Sequence, residues 1–142
     1  MNKRTGTAVW SGGLKDGKGN ISTQSGVLDK TQYGFNTRFA QGPGTNPEEL
    51  IAAAHAGCFT MALSGQLGEA GLTAASLTTT ATVTLERTGD GFSITAVHLD
   101  LSANIPGANK EAFEAAALSA KTNCPVSKLL NAAITLDARL EA

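Results

Sequence analysis

The run Thr45–Leu72, TNPEELIAAAHAGCFTMALSGQLGEAGL, carries its charges only near its ends. Asn46 can cap a helix, Pro47 suits the first helical position, and Glu49 completes a capping box. Gly71 in GEAGL supplies the residue that ends one. Together these predict a helix from about Pro47 to Glu69. The 19 residues between Glu49 and Glu69 contain no Asp, Glu, Lys or Arg, and a helix without a charged stripe is buried on all sides. It would be about 30 Å long at 1.5 Å per residue. A chain of 142 residues with modest sheets can hardly surround it alone. Two copies that sandwich their helices could, so a homodimer is expected. The alternative is a monomer whose own sheet and C-terminal helices suffice.

Upstream of this helix the chain reads as strands. TGTAVW and GNISTQSG alternate around the turn-rich SGGLKDGKG and predict a hairpin. YGFNTRF reads as a third extended run, with Tyr33, Phe35, Thr37 and Phe39 on one face and Asn36 and Arg38 on the other. Downstream, two alternating runs flank a TGDG turn and predict a long hairpin. GANKEAFEAAALSAKT is an amphipathic helix, NCPVSKLLNA opens a short one, and AITLDARLEA closes as a strand. This order predicts an α+β fold, an antiparallel sheet packed on the central helix, in a single domain over residues 1–142.

Composition narrows the functions. With a net charge of −1 and no basic stretch longer than two residues, neither a nucleic-acid nor a membrane partner is expected. The uncharged stretch from Leu50 to Leu67 barely reaches spanning length, and His55, Thr60, Ser64 and Gln66 favour a buried soluble helix. MNKRTGTAVW lacks the apolar segment of a secretory signal, so a reducing cytoplasm is the expected compartment, where a permanent disulfide is not. Cys58 and Cys124 lie 66 positions apart, which excludes a CxxC pair, and two ligands are too few for structural zinc. GPG and GKG match no phosphate-binding pattern and read as turns, so no cofactor or metal is expected.

Two residues remain for chemistry. Cys58 shares a helix face with Ile51, Ala54, His55, Met61, Ala62 and Gly65, and by itself reads first as packed filler and only second as a sheltered nucleophile. Cys124 in NCPVSKLL falls at a helix start, where unsatisfied N–H groups favour a thiolate. Two separated thiols of different exposure are what a peroxidatic and resolving pair requires. His55, one turn before Cys58, reads as a core histidine or as its base. Phe59 and Met61 read as core or as walls of an apolar pocket, and Glu48 as a partner of the helix dipole.

YGFNTRF, GTNPEELIAAAHAGCFTMALS and NCPVSKLLNAAITLD together resemble the osmotically inducible protein C (OsmC) family of thiol peroxidases, relatives of the organic hydroperoxide resistance proteins. The resemblance extends over essentially the whole chain. It implies an intertwined homodimer with active sites at the interface, reducing organic hydroperoxides to alcohols with electrons from a dithiol such as a dihydrolipoyl group. It also implies Cys58 as peroxidatic cysteine, Cys124 as resolving cysteine, Arg38 as activating arginine, and Glu49 as the carboxylate that orients Arg38. Nine positions separate Glu49 from Cys58, about 13.5 Å and 900° of an ideal helix, so they point to opposite faces. Arg38 and Glu49 are therefore expected to reach Cys58 of the partner copy, unless Gly57 kinks the helix. The competing readings are a non-enzymatic stress protein that binds apolar ligands, and a thiol redox sensor.

Overall fold

The structure, a computed structural model, describes residues 1–141. It comprises two compact units, Met1–Leu50 and a second beginning at Ile51.

In the first unit, β1 (Gly6–Ser11), β2 (Lys18–Thr23) and β3 (Thr31–Tyr33) form an antiparallel sheet in that order. The register runs from Gly6 opposite Thr23 to Ser11 opposite Lys18, so the expected hairpin is present. The third extended run is not. Only Thr31–Tyr33 is strand, and Phe35–Phe39 is a short helix, α1. The Gly34 N–H donates to Thr37 Oγ1 at 2.8 Å and the Thr37 hydroxyl donates to the Gly34 carbonyl at 2.9 Å, which closes the first turn. Phe35 and Phe39, four positions apart, bring their ring centroids to 4.9 Å on one face of that turn. Alternate positions in so short a run satisfy a period of 2 and this four-residue pair equally well, which is why the strand reading fails.

The central helix, α2, runs without interruption over Pro47–Glu69, as expected. Asn46 Oδ1 accepts from the Glu49 N–H at 2.8 Å at its start. At its end Gly71 has φ +76, and the Leu72 and Gly71 N–H groups bond the Leu67 and Gly68 carbonyls at 2.8 and 3.0 Å. That is a Schellman ending.

In the second unit, β4 (Ser76–Thr88) and β5 (Gly91–Asn104) form the long hairpin, with Gly89 at φ +60 in the turn. Next come α3 (Lys110–Asn123), α4 (Pro125–Leu129) and β6 (Ala133–Leu140). The fold is α+β, but the expected single antiparallel sheet is corrected in two ways. The two hairpins belong to separate three-stranded sheets, and β6 pairs with β5 in parallel. Helices α3 and α4 supply the crossover that a parallel partner needs.

One face of the second sheet is the core. Val97, Leu99, Leu101 and Ala103 alternate inward along β5 against Phe113, Ala116, Ala117 and Ala120 of α3. Helix α2 adds His55, Phe59, Leu63 and Leu67, spaced every four residues. Those four are its only fully covered positions, and Met61 stays 79% exposed. One chain therefore covers only one stripe of α2, as a single sheet and α3 allow, and the alternative of a monomer whose own sheet and C-terminal helices surround the helix fails.

Leu101, fully buried on the middle strand β5, tests this core. Leu101→Ala is expected to cost about 2–5 kcal/mol through lost burial and the cavity left behind, read as a lower urea midpoint. An unchanged midpoint would place the stabilising contacts elsewhere.

Candidate active site

Cys124 ends α3 and caps α4, with Pro125 at the first helical position behind it. This double role follows from sequence: proline cannot continue α3 but can begin α4. The cap position is the one expected, and Cys124 is buried in it. Its Sγ accepts the Ser127 N–H at 3.4 Å and lies 3.1 Å from Ser127 Oγ. An N–H group of the first turn of α4 thus addresses the Cys124 sulfur. Cys58, half-buried on α2, packs against the core cluster that contains Cys124, and both the Val126 N–H and the Cys124 thiol lie close enough to influence its sulfur. The fold brings together two free thiols that are 66 residues apart in sequence.

Burial is the main influence on Cys58 and pushes its thiol up; the Val126 N–H pulls it down, and Cys124 pushes it up again by hydrogen bonding and charge. A thiol in this state is a poor nucleophile until a cation is supplied. His55 does not serve as its base. The imidazole is fully buried, Nε2 lies 2.7 Å from Ser127 Oγ, and Nδ1 has no hydrogen-bond partner among the described residues.

Arg38 and Glu49 lie in the first unit. Arg38, on α1, extends Nε and Nη2 to the two oxygens of Glu48 at 3.1 and 3.2 Å, a bidentate pair. The expected Arg38–Glu49 pair is therefore corrected: Glu48 holds the fork, while Glu49 accepts the Thr45 hydroxyl at 2.7 Å. The backbone explains the exchange. The Thr45 N–H donates to the Gln32 carbonyl at 2.8 Å, across Gly44 at φ +120, where a Cβ would overlap that carbonyl oxygen. Thr45 is thereby fixed over Glu49, and Glu48 is left for Arg38.

Sequence reading missed the surroundings of Arg38. Trp10, Leu14, Tyr33, Phe35 and Phe39 line a concavity of about 210 Å³ with Arg38 at its wall. Four of the chain's seven aromatic residues line it, and that concentration was the available signal. Ser127 carried no such signal, because its contacts come from residues distant in sequence.

A free thiol embedded in a helix and a second at a helix cap equip this α+β chain for thiol-based redox chemistry. Residues 40–139 match the OsmC-like protein family. Peroxiredoxin OsmC of Escherichia coli is 52% identical over 139 residues, covering 98% of this chain and 97% of its own length. The organic hydroperoxide resistance protein OhrB of Bacillus subtilis is 28% identical with a TM-score of 0.69, covering 95% of this chain and 98% of that one. An OsmC-like protein of unknown function from Vibrio cholerae shares the fold at a TM-score of 0.78 and 18% identity, over 98% and 100% of the two chains. The chain belongs to the OsmC family and is a thiol peroxidase of the peroxiredoxin type.

Burial alone holds the His55 imidazole below its ordinary range, so acid destabilises the fold at this residue. The unfolded chain takes up the His55 proton at a higher pH than the native one. The contribution is complete above about pH 6.5 and is lost as pH falls toward the lower native value. The urea midpoint should drop between about pH 7 and pH 5, and less steeply in His55→Gln. Equal slopes in the two proteins would show that other groups govern acid stability.

Proposed function

We propose that this chain reduces organic hydroperoxides to alcohols through a sulfenic acid on Cys58 and a disulfide between Cys58 and Cys124. The observation that carries the reading is that Cys58 packs against the core containing Cys124, with the two free thiols close enough to influence each other. The Cys58 thiolate attacks the outer peroxide oxygen, the O–O bond breaks, and the departing alkoxide takes a proton and leaves as alcohol. Cys124 then displaces the sulfenic oxygen as water. A dithiol, with dihydrolipoyl groups a fitting class, reduces the disulfide in a cytoplasmic pool. Without a resolving thiol, a sulfenic acid would stay open to further oxidation.

Arg38 is assigned as the activating cation. Its planar fork can hold a thiolate and a peroxide oxygen at once. The Glu48 pair is half-exposed and adds little stability, about 0–1 kcal/mol; its effect is to fix the direction of the fork. The aromatic concavity beside Arg38 suits an alkyl group, which gains about 0.8 kcal/mol for each buried methylene. Glu49 acts behind this arrangement through Thr45. The uncovered faces of α2 support a homodimer that buries them. Glu48, which holds Arg38, lies ten residues before Cys58, about 15 Å along α2, and that distance supports active sites shared between copies.

Peroxide consumption with cumene hydroperoxide and a dithiol tests the cysteines. Cys58→Ser is expected to abolish turnover. Cys124→Ser should complete the first oxidation and then accumulate the sulfinic form, visible by mass spectrometry as two added oxygens. Turnover by Cys58→Ser would overturn the assignment.

Subunit mixing tests the shared site. Arg38→Ala and Cys58→Ser are expected to be inactive alone and to recover activity when unfolded and refolded together. A mixed dimer then keeps one complete site, with roughly half the wild-type activity expected per dimer. No recovery would mean that Arg38 and Cys58 act within one chain.

A further inference from the structure

Behind the two thiols lies a polar chain that the peroxidase reading leaves unused. From the sulfur it runs Cys124 Sγ, Ser127 Oγ at 3.1 Å, then His55 Nε2 at a further 2.7 Å. All three residues are buried, His55 and Cys124 to about 1% exposure or less. Structural economy does not account for this. Apolar side chains in place of His55 and Ser127 would remove the need to bury an imidazole, whose Nδ1 has no partner among the described residues.

We propose that His55, acting through Ser127, accepts the proton of the Cys124 thiol as that thiol closes the disulfide on Cys58. The proposal rests on the peroxidase reading above and concerns its second step. The Cys124 proton passes to Ser127 Oγ while the Ser127 hydroxyl proton passes to His55 Nε2. The sulfur electron pair freed on Cys124 forms the S–S bond, and the S–O bond of the Cys58 sulfenic acid breaks. The departing hydroxide takes up a proton, and the imidazolium gives back its own. One disulfide and one water result, with nothing else consumed.

The geometry suits this role for three reasons. Ser127 can donate and accept at once, so a single hydroxyl links the sulfur to the ring. The Ser127 N–H also points at the Cys124 sulfur, at 3.4 Å, and would stabilise the charge that forms there. The imidazole, held neutral by burial, has its ring in the unprotonated form at neutral pH, and the same burial makes the imidazolium short-lived, so that it passes the proton on. The titratable groups facing the chain are the two thiols, Cys58 from α2 and Cys124 from the α3–α4 junction. The core that contains Cys124 is apolar in every element that builds it: Phe59 and Leu63 of α2, Ala117 and Ala120 of α3 and Val97 and Leu99 of β5, with Val126 of α4 and Ile134 and Leu136 of β6 packed against it.

The test times disulfide formation from the sulfenic acid, generated on the full chain with one equivalent of cumene hydroperoxide. Trapping the sulfenic acid at intervals with dimedone, followed by mass spectrometry, reports the rate. His55→Gln keeps a hydrogen-bonding side chain but removes the base, and Ser127→Ala removes one oxygen. Both are expected to resolve about tenfold or more slowly near pH 7, at or somewhat below the usual contribution of a positioned base. At about pH 10 hydroxide from solution can take the proton without an internal base, and both variants should match wild type. A misplaced Cys124 would remain slow at every pH. Wild-type rates near pH 7 in the variants, or a deficit that persists at high pH, would overturn the relay. If the wild-type protein forms no sulfenic acid at all, the peroxidase reading falls and the relay with it, an outcome separate from unchanged rates in the variants.

Discussion

The stripe on which α2 meets the second sheet and α3 sets the rest of the active centre. His55, Phe59, Leu63 and Leu67 recur every fourth residue and are its only fully covered positions. That contact fixes the rotation of α2 about its axis. Cys58, one residue before Phe59, is thereby held at the margin of the core, half-buried and against Cys124. A rotation of one residue, about 100°, would carry the sulfur either into the apolar interior or away from its partner.

Burial has opposite consequences for the groups it encloses. It pushes the Cys58 thiol up and the His55 imidazole down, because in both cases the neutral form needs no water. A neutral thiol waits for a cation, whereas a neutral imidazole is a base in its usable form. The same low-polarity environment that silences the nucleophile keeps its neighbour available. Arg38, always charged, answers the first need, and its pairing with Glu48 gives the fork a direction that a free arginine lacks.

Small backbone devices carry this arrangement. Gly44 permits the close approach of Gln32 and Thr45 that fixes Glu49 and leaves Glu48 to Arg38. Pro125 ends one helix and begins another, so that Cys124 becomes a cap and the Ser127 N–H of α4 faces its sulfur. Neither device involves a reactive side chain.

Local order was legible in the sequence wherever its cause was local. Asn46, Pro47 and Gly71 bound α2 because caps act within one turn, and TGDG marked the long hairpin because a turn of this kind depends on adjacent residues. The two cysteines could be singled out because thiols are rare here and one precedes a proline. The helical state of Phe35–Phe39, the separation of the sheets and the parallel pairing of β6 were not legible. In each case neighbours distant in sequence decide between local states of similar energy. The same holds for Glu48 in place of Glu49 and for Ser127 between His55 and Cys124. The choice of partner there depends on which side chains the packed backbone brings within about 3 Å, a distance that only tertiary structure sets.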